Sequence, residues 1–262
     1  MTCERKADQV KAWIYEAANN IRENLHQDFT VSQKTGRTDL VTNIDEETQA
    51  FFIHKIKETY PDDKILAEEK EYCTIDSLKG NVWIIDPIDG TMNFVLEKEN
   101  FCIMIALFKD GIGQLGFIYD VIKEELYWGG KNLGVFMNEQ KLTKPKNASL
   151  SEGLLGMNAY MYGENIYSAG DIGRASMGIR VSGCAGLELI AMLKGTHIGY
   201  VSNLSPWDYA AGLVLIEEFD FKYGNIEDKS LAFSKREYFL AATPKAYTEI
   251  QEKFIQNSFE FE

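Results

Sequence analysis

The residues with the most chemical content lie in Trp83–Phe94, WIIDPIDGTMNF. A short apolar stretch delivers Asp86 and Asp89 with Pro87 between them and Gly90 directly after. Proline fixes its own φ and glycine admits a backbone path closed to other residues, so both carboxylates are held close on a turn at a strand end. Like charges held close repel, which raises the pKa of one unless a cation compensates. The donors on offer are all oxygens: two aspartates, the Ile88 carbonyl and the Thr91 hydroxyl. Such a set suits a hard cation such as Mg²⁺ rather than zinc. Taken alone, D-x-x-D reads more simply as an acidic turn that caps its own loop. Other acidic residues shift that balance. Glu68 follows the strand-like Lys64–Ala67, Asp45 sits at a helix start, and Asp208 follows Pro206-Trp207 at another. Each by itself is a solvated charge or a helix cap. Together they supply carboxylates for two or three Mg²⁺ ions.

Regular elements must bring these groups together. Val10, Ile14, Ala17, Ile21 and Leu25 form one apolar face of a first helix. Ser32–Thr38, SQKTGRT, reads as a mobile polar loop carrying Lys34. Thr42 and Asp45 have capping-box spacing before a second helix, whose face includes Phe52, Ile56 and Tyr60 and which Pro61 ends. Strands are expected over 64–67, 81–85, 101–108, 114–119 and 125–128, the last three as an antiparallel meander. The polar stretch Lys141–Ser151 separates two halves, residues 1–142 and 143–262. In the second half, strands over 153–157, 180–182 and 198–201 alternate with helices over 165–174, 185–194 and 206–219, and a helix over 244–255 ends the pattern. Alternation of this kind predicts an α/β half.

Composition narrows the function. The chain has 262 residues, with 27 Lys and Arg against 40 Asp and Glu, a net charge of −13. An acidic surface repels nucleic acid and anionic lipid, so neither is an expected partner. The apolar run 101–108 is far shorter than the roughly 20 residues of a membrane span. The charged N-terminal stretch MTCERKADQVKAW does not resemble an export signal, and Cys3, Cys73, Cys102 and Cys184 are far apart in sequence. They read as free thiols of a cytoplasmic protein. His26, His54 and His197 show no zinc-ligand spacing with one another or with cysteine. Gly111–Gly116 spells G-x-G-x-x-G, but the following LGFIYDVIKEELYW reads as strands rather than the helix a dinucleotide site requires.

These segments together resemble the inositol monophosphatase family of Mg²⁺-dependent, lithium-sensitive phosphatases. WIIDPIDGTMNF resembles its signature, Asp39–Asp45 its metal-loop segment, Leu66–Glu69 its G-E-E segment, Gly134–Leu142 the close of its first half, and Pro206–Gly212, PWDYAAG, its C-terminal signature. The resemblance spans roughly residues 8 to 225 and is specific because the motifs occur jointly. It implies an α/β (α+β) fold, a layered α–β–α–β–α sandwich with the cleft between its halves. It implies that Glu68, Asp86 and the Ile88 carbonyl hold one Mg²⁺, and that Asp86, Asp89 and Asp208 hold a second. Glu68 and Thr91, supported by Asp45, would orient the attacking water. Asp89, Gly90 and Thr91, with Gly183 and Cys184, would contact the phosphate ester, and Lys34 would lie on a loop that closes over the site. A small phosphorylated metabolite is the implied partner, inositol 1-phosphate first, with the 2′-phosphate of NADP or fructose 1,6-bisphosphate as the alternative, and a homodimer is expected. Departures fall in the wall before Trp207. Val201 is read at the place of a family glutamate, with Ser202 or Asn203 as substitutes, and His197 stands where aspartate is common. The segment G-S/T-A-A becomes Gly183-Cys184-Ala185-Gly186.

Overall fold

Strict alternation of side chains sorts the chain into layers. A computed structural model describes residues 3–27, 29–37 and 39–256. Thr38 of the expected loop and the last residues of the second half therefore lie outside the described residues. In order, the elements of the first half are α1 (Cys3–Asn24), β1 (Val31–Gly36), β2 (Asp39–Thr42), α2 (Asn43–Thr59), β3 (Lys64–Ala67), β4 (Asn81–Asp89), α3 (Thr91–Leu96), β5 (Cys102–Lys109), β6 (Ile112–Asp120), β7 (Glu125–Gly130), β8 (Gly134–Met137) and β9 (Gln140–Lys141). There follow β10 (Leu154–Met157), α4 (Ala159–Gly163), α5 (Ala169–Ala175), β11 (Gly178–Arg180), α6 (Ala185–Leu193), β12 (His197–Leu204), α7 (Pro206–Glu217), β13 (Lys222–Asn225), β14 (Glu237–Ala242) and α8 (Pro244–Ile250).

Strands β3 to β9 form a seven-stranded sheet in sequence order, parallel at β3/β4 and antiparallel throughout the rest. Along β5, Ile103, Ile105 and Leu107 face α1 and α2, while Cys102, Met104, Ala106 and Phe108 face α6 and α7. Both faces are covered, which explains why the strand reads as one continuous apolar run. A five-stranded sheet, β11-β10-β12-β14-β13, lies beyond α6 and α7. Tyr200, Phe239 and Ala241 turn toward those helices, and Leu155, Val201, Leu240 and Ala242 turn to the outer layer with α5 and α8. The result is the expected α–β–α–β–α sandwich, with α6 and α7 buried between the sheets. No helix among the described residues is long and apolar enough to cross a membrane.

Several local expectations are corrected. The stretch 32–36 is not an irregular loop: β1 pairs antiparallel with β2, Val31 opposite Thr42. Its side chains are polar, so the sequence gives no alternation to detect. The helix expected over 165–174 begins only at Ala169, because Asn165, Tyr167 and Ser168 adopt positive φ. A short helix, α4, precedes it, capped by Asn158. The strand placed over 180–182 is β11, ending at Arg180, and the last helix passes into a π turn after Ile250. Strands β4 and β12 run past their expected ends to Asp89 and Leu204, and both extensions carry cleft residues.

Candidate active site

The position of the two signature aspartates follows from one irregularity in the sheet. Asp86 lies opposite Met104, and Asp89 lies opposite Cys102. Three steps along β4 therefore match two along β5, which is a β-bulge. In a regular strand, residues three apart point to opposite faces. The bulge restores parity, and both carboxylates line the same cleft. Gly90 follows at φ 89°, where a Cβ would stand 3.1 Å from the Cβ of Cys184 and 3.2 Å from the Asn100 carbonyl. The turn thus needs glycine for both its backbone angle and its close approach.

The cleft, about 400 Å³, is lined by Glu68, Asp86, Ile88, Asp89, Gly90, Thr91, Gly183, Cys184 and Asp208 among others. The chain's fold brings these sequence-selected residues together from the end of β3, from β4 and the start of α3, from the turn before α6 and from the start of α7. The four aspartates Asp45, Asp86, Asp89 and Asp208 each accept a backbone N–H. Asp208 closes a capping box at the start of α7, its Oδ2 accepting the Ser205 N–H at 2.8 Å. Asp45 does the same at α2: its Oδ2 accepts the Thr42 N–H at 2.9 Å and the Thr42 hydroxyl. Its Oδ1 is 3.1 Å from the Thr91 hydroxyl, which also lies 3.0 Å from the Ile88 carbonyl. Asp45 is therefore a cap and a support for Thr91 at once. Asp89 Oδ2 accepts from the Gly186 N–H at 2.5 Å and from the Cys184 thiol at 3.1 Å, which ties β4 to the N-terminus of α6. Asn93 adds a second tie, donating to the Ser182 and Asn100 carbonyls at 2.8 and 2.9 Å.

Lys34 reaches from β1 to Glu68 at 2.8 Å and Glu69 at 2.5 Å. The backbone of Glu69 is gripped by the Gln49 side chain, which accepts its N–H at 2.8 Å and donates to its carbonyl at 2.7 Å. These amide bonds fix the segment bearing Glu68 onto α2.

The electrostatics of the cluster favour an added cation. Burial raises the Asp45 carboxyl to about 6, despite the hydrogen bonds from Thr42 that oppose the shift. Burial raises Glu69 to about 7, with the Glu68 charge adding to it. Asp208 is pushed up to about 8 by burial, against the pull of Arg236 and with repulsion from Asp89 and Glu68. Asp86 is raised well above the carboxylate range by burial and then by Glu68, Asp89 and Asp208. Lys34 is already paired with Glu68 and Glu69, and Arg236 stands 3.8 Å from Asp208. Negative charge thus exceeds the positive charge near it, and the donors at the cleft floor are carboxylates, a carbonyl and a hydroxyl. These residues fit hard divalent cations.

The wall differs from its expected composition. Val201 is buried among Leu155, Leu240 and Ala242 on the outer face of β12, so it does not stand in the cleft. Tyr200, Ser202 and Asn203 line it instead. His197 is also outside the cleft lining; its Nδ1 lies 2.9 Å from Glu188 Oε2, and Glu188 Oε1 accepts the Ser182 N–H at 2.9 Å. Glu188, Asn158 and Arg236 are cleft residues the sequence reading did not find. Glu188 sits within an apolar helix stripe, where an acidic interruption was the available signal. Arg236 comes from a loop before β14 with no motif around it.

Comparison with known proteins agrees with this geometry. The inositol monophosphatase family model matches residues 4–258. An inositol-1-monophosphatase of Bacillus subtilis (strain 168) is 41% identical over 261 residues, covering 97% of this chain and 98% of that one. A fructose-1,6-bisphosphatase/inositol-1-monophosphatase of Thermotoga maritima is 34% identical over 214 residues, 78% of this chain and 81% of that one. A solved IMPase/NADP phosphatase complexed with Mg²⁺ and phosphate superposes with a TM-score of 0.88 at 29% identity, over 95% of each chain.

Proposed function

The chain belongs to the inositol monophosphatase family, a family of phosphatases, and from that premise we propose that it is a Mg²⁺-dependent phosphomonoesterase acting first on inositol 1-phosphate by direct attack of water. The observation that supports this reading most is the bulge that turns Asp86 and Asp89 into one cleft with Glu68 and Asp208. Glu68, Asp86 and the Ile88 carbonyl would hold one Mg²⁺, and Asp86, Asp89 and Asp208 a second. When bound, such cations neutralise the phosphate dianion and acidify a water.

The chain's own residues supply orientation and proton handling. The Thr91 hydroxyl has one proton and two acceptors within reach, Asp45 Oδ1 and the Ile88 carbonyl. Donating this hydrogen bond to Asp45 would free the Ile88 carbonyl for a cation and leave a Thr91 lone pair to accept a hydrogen bond from the attacking water, whose proton would then pass through Thr91 to Asp45. Glu68 takes the other side of that water. The N–H groups of Gly90 and Thr91 hold phosphate oxygens, and Gly183 and Cys184 face the ester from the second half. Lys34, on the hairpin β1–β2, closes the cleft over Glu68. The proposal includes the division at residues 142 and 143, a homodimer, a cytoplasmic setting and inhibition by lithium.

A second reading has its own support. Arg236 lines the cleft with its guanidinium donating to the Asn203 carbonyl at 2.8 Å and standing 3.8 Å from Asp208, exposed, so that it adds a positive charge at the cleft rim. A substrate with a second phosphate, NADP or fructose 1,6-bisphosphate, would use it. Phosphate release from the three substrates under Mg²⁺ titration tests both. Inositol 1-phosphate is expected to be cleaved fastest, with no release without divalent cation. A much faster rate on NADP favours the second reading, and no release from any of them contradicts both.

A further inference from the structure

Two thiols 82 positions apart meet beside the acidic turn. Cys102, on β5, and Cys184, the cap residue of α6, have their sulfurs 3.7 Å apart, and both are buried. Asp89 Oδ2 lies 3.1 Å from the Cys184 sulfur and 3.6 Å from that of Cys102. One carboxylate oxygen and two sulfurs therefore stand at the corners of a small triangle. We propose that Asp89, Cys102 and Cys184 form a binding site for one thiophilic divalent cation of the Zn²⁺ or Cd²⁺ class, adjoining the oxygen cradle and sharing Asp89 with it.

The dimensions fit. Tetrahedral zinc takes sulfur at about 2.3 Å and carboxylate oxygen at about 2.0–2.2 Å, which sets sulfurs about 3.7–3.8 Å apart and sulfur and oxygen about 3.5 Å apart. Two edges of the triangle already match these values, and the third opens by a few tenths of an ångström if the Cys184 thiol rotates. Cys184 lines the cleft, so a fourth ligand can come from solvent on that side. Sulfur donors favour Zn²⁺ and Cd²⁺ over Mg²⁺, so the pocket selects a different ion from the cradle next to it. Binding breaks two S–H bonds and forms two metal–sulfur bonds; both protons pass to solvent and no atom changes oxidation state. A cation held there takes Asp89 away from the hard-cation set. This consequence rests on the proposed function, whereas the binding itself does not.

The test uses the full chain with the two exposed cysteines, Cys3 and Cys73, changed to serine, in millimolar Mg²⁺. Cd²⁺ is titrated and followed by the ultraviolet thiolate-to-cadmium band, and zinc X-ray absorption reports the neighbours of bound Zn²⁺. One Cd²⁺ per chain with a thiolate band is expected, together with two sulfur neighbours of zinc near 2.3 Å. Cys102→Ala is expected to weaken binding roughly 100-fold and to diminish the band. No band, zinc with only oxygen and nitrogen neighbours, or a band unchanged in Cys102→Ala overturns the proposal. Should Cys102→Ala fail to fold, the zinc spectrum of the parent decides by itself. Phosphate release is read on the same protein in Mg²⁺ before any Cd²⁺ or Zn²⁺ is added, and is then expected to fall as the thiol site fills. Absent thiolate binding with intact Mg²⁺-dependent release overturns only this site, and absent release with intact thiolate binding overturns only the functional reading.

Discussion

The cleft has two unlike sides. On the cradle side, Asp45, Asp86, Asp89 and Asp208 are fixed by backbone devices, two capping boxes and a bulge, and each carboxylate accepts N–H groups from its own or a neighbouring element. On the wall side, Tyr200, Ser202, Asn203 and Arg236 occupy the end of β12 and the loop before β14, where regular pairing of β12 with β14 sets the backbone and the side chains make up the cleft surface. The contrast teaches that the carboxylates are placed by irregular main-chain devices, where a residue change is costly, whereas the wall presents side chains on a regular strand, where they can be exchanged; under the proposed function, substrate choice would lie there.

The largest test of that division is Asp86→Asn. Asp86 is buried and faces Glu68, Asp89 and Asp208. Its loss is expected to lower kcat roughly 10³-fold for every substrate, measured as phosphate release at saturating Mg²⁺, because it serves the cradle and not the wall. Thr91→Ala comes next. It removes the hydroxyl between Asp45 and the Ile88 carbonyl. A fall in kcat of about 10²-fold is expected with KM little changed, as for loss of a proton-handling group. An equal rise in KM would mean that Thr91 only binds.

Arg236→Ala sharpens the other side. If the guanidinium receives a second phosphate, KM for NADP or fructose 1,6-bisphosphate is expected to rise about 10-fold, the magnitude of one charge-assisted hydrogen bond. Steady-state kinetics on inositol 1-phosphate would show little change. A uniform effect on all substrates would instead trace to Asp208, which Arg236 holds down in pKa.

The smallest effect is on stability. The raised carboxyls of Asp45, about 6, and Asp208, about 8, bind protons in the fold that an unfolded chain has already released above about pH 4. The cation-free protein is therefore expected to be most stable at the acidic end of the window from about pH 4 to 8, losing stability as pH rises and these groups ionise. Added Mg²⁺ should raise Tm more at pH 8 than at pH 6. Thermal denaturation with and without Mg²⁺ checks this, and an equal shift at both values would break the link between the cluster's charge and its cation.

Legibility in the sequence follows the same division. The Thr42–Asp45 capping box, the proline-spaced aspartates and Pro206 at the start of α7 are local devices, so the sequence reveals them directly. The meander β5–β7 was legible for the same reason, through alternation and short turns. The wall was misread at Val201 because side chains alternate along a strand, and a one-residue error in alignment exchanges the two faces. The bulge that turns Asp89 inward, the grip of Gln49 on Glu69 and the meeting of Cys102 with Cys184 are products of tertiary pairing. No spacing within the chain encodes them. The hairpin β1–β2 was hidden by its polar residues, although Lys34, selected from it, does reach Glu68.

The most direct measurement is an anomalous difference map from crystals of the chain soaked in Mn²⁺ as a stand-in for Mg²⁺. The account expects peaks between Glu68, Asp86, Asp89 and Asp208, with the Ile88 carbonyl as a ligand. Manganese bound only elsewhere, with this cluster left bare, would contradict it.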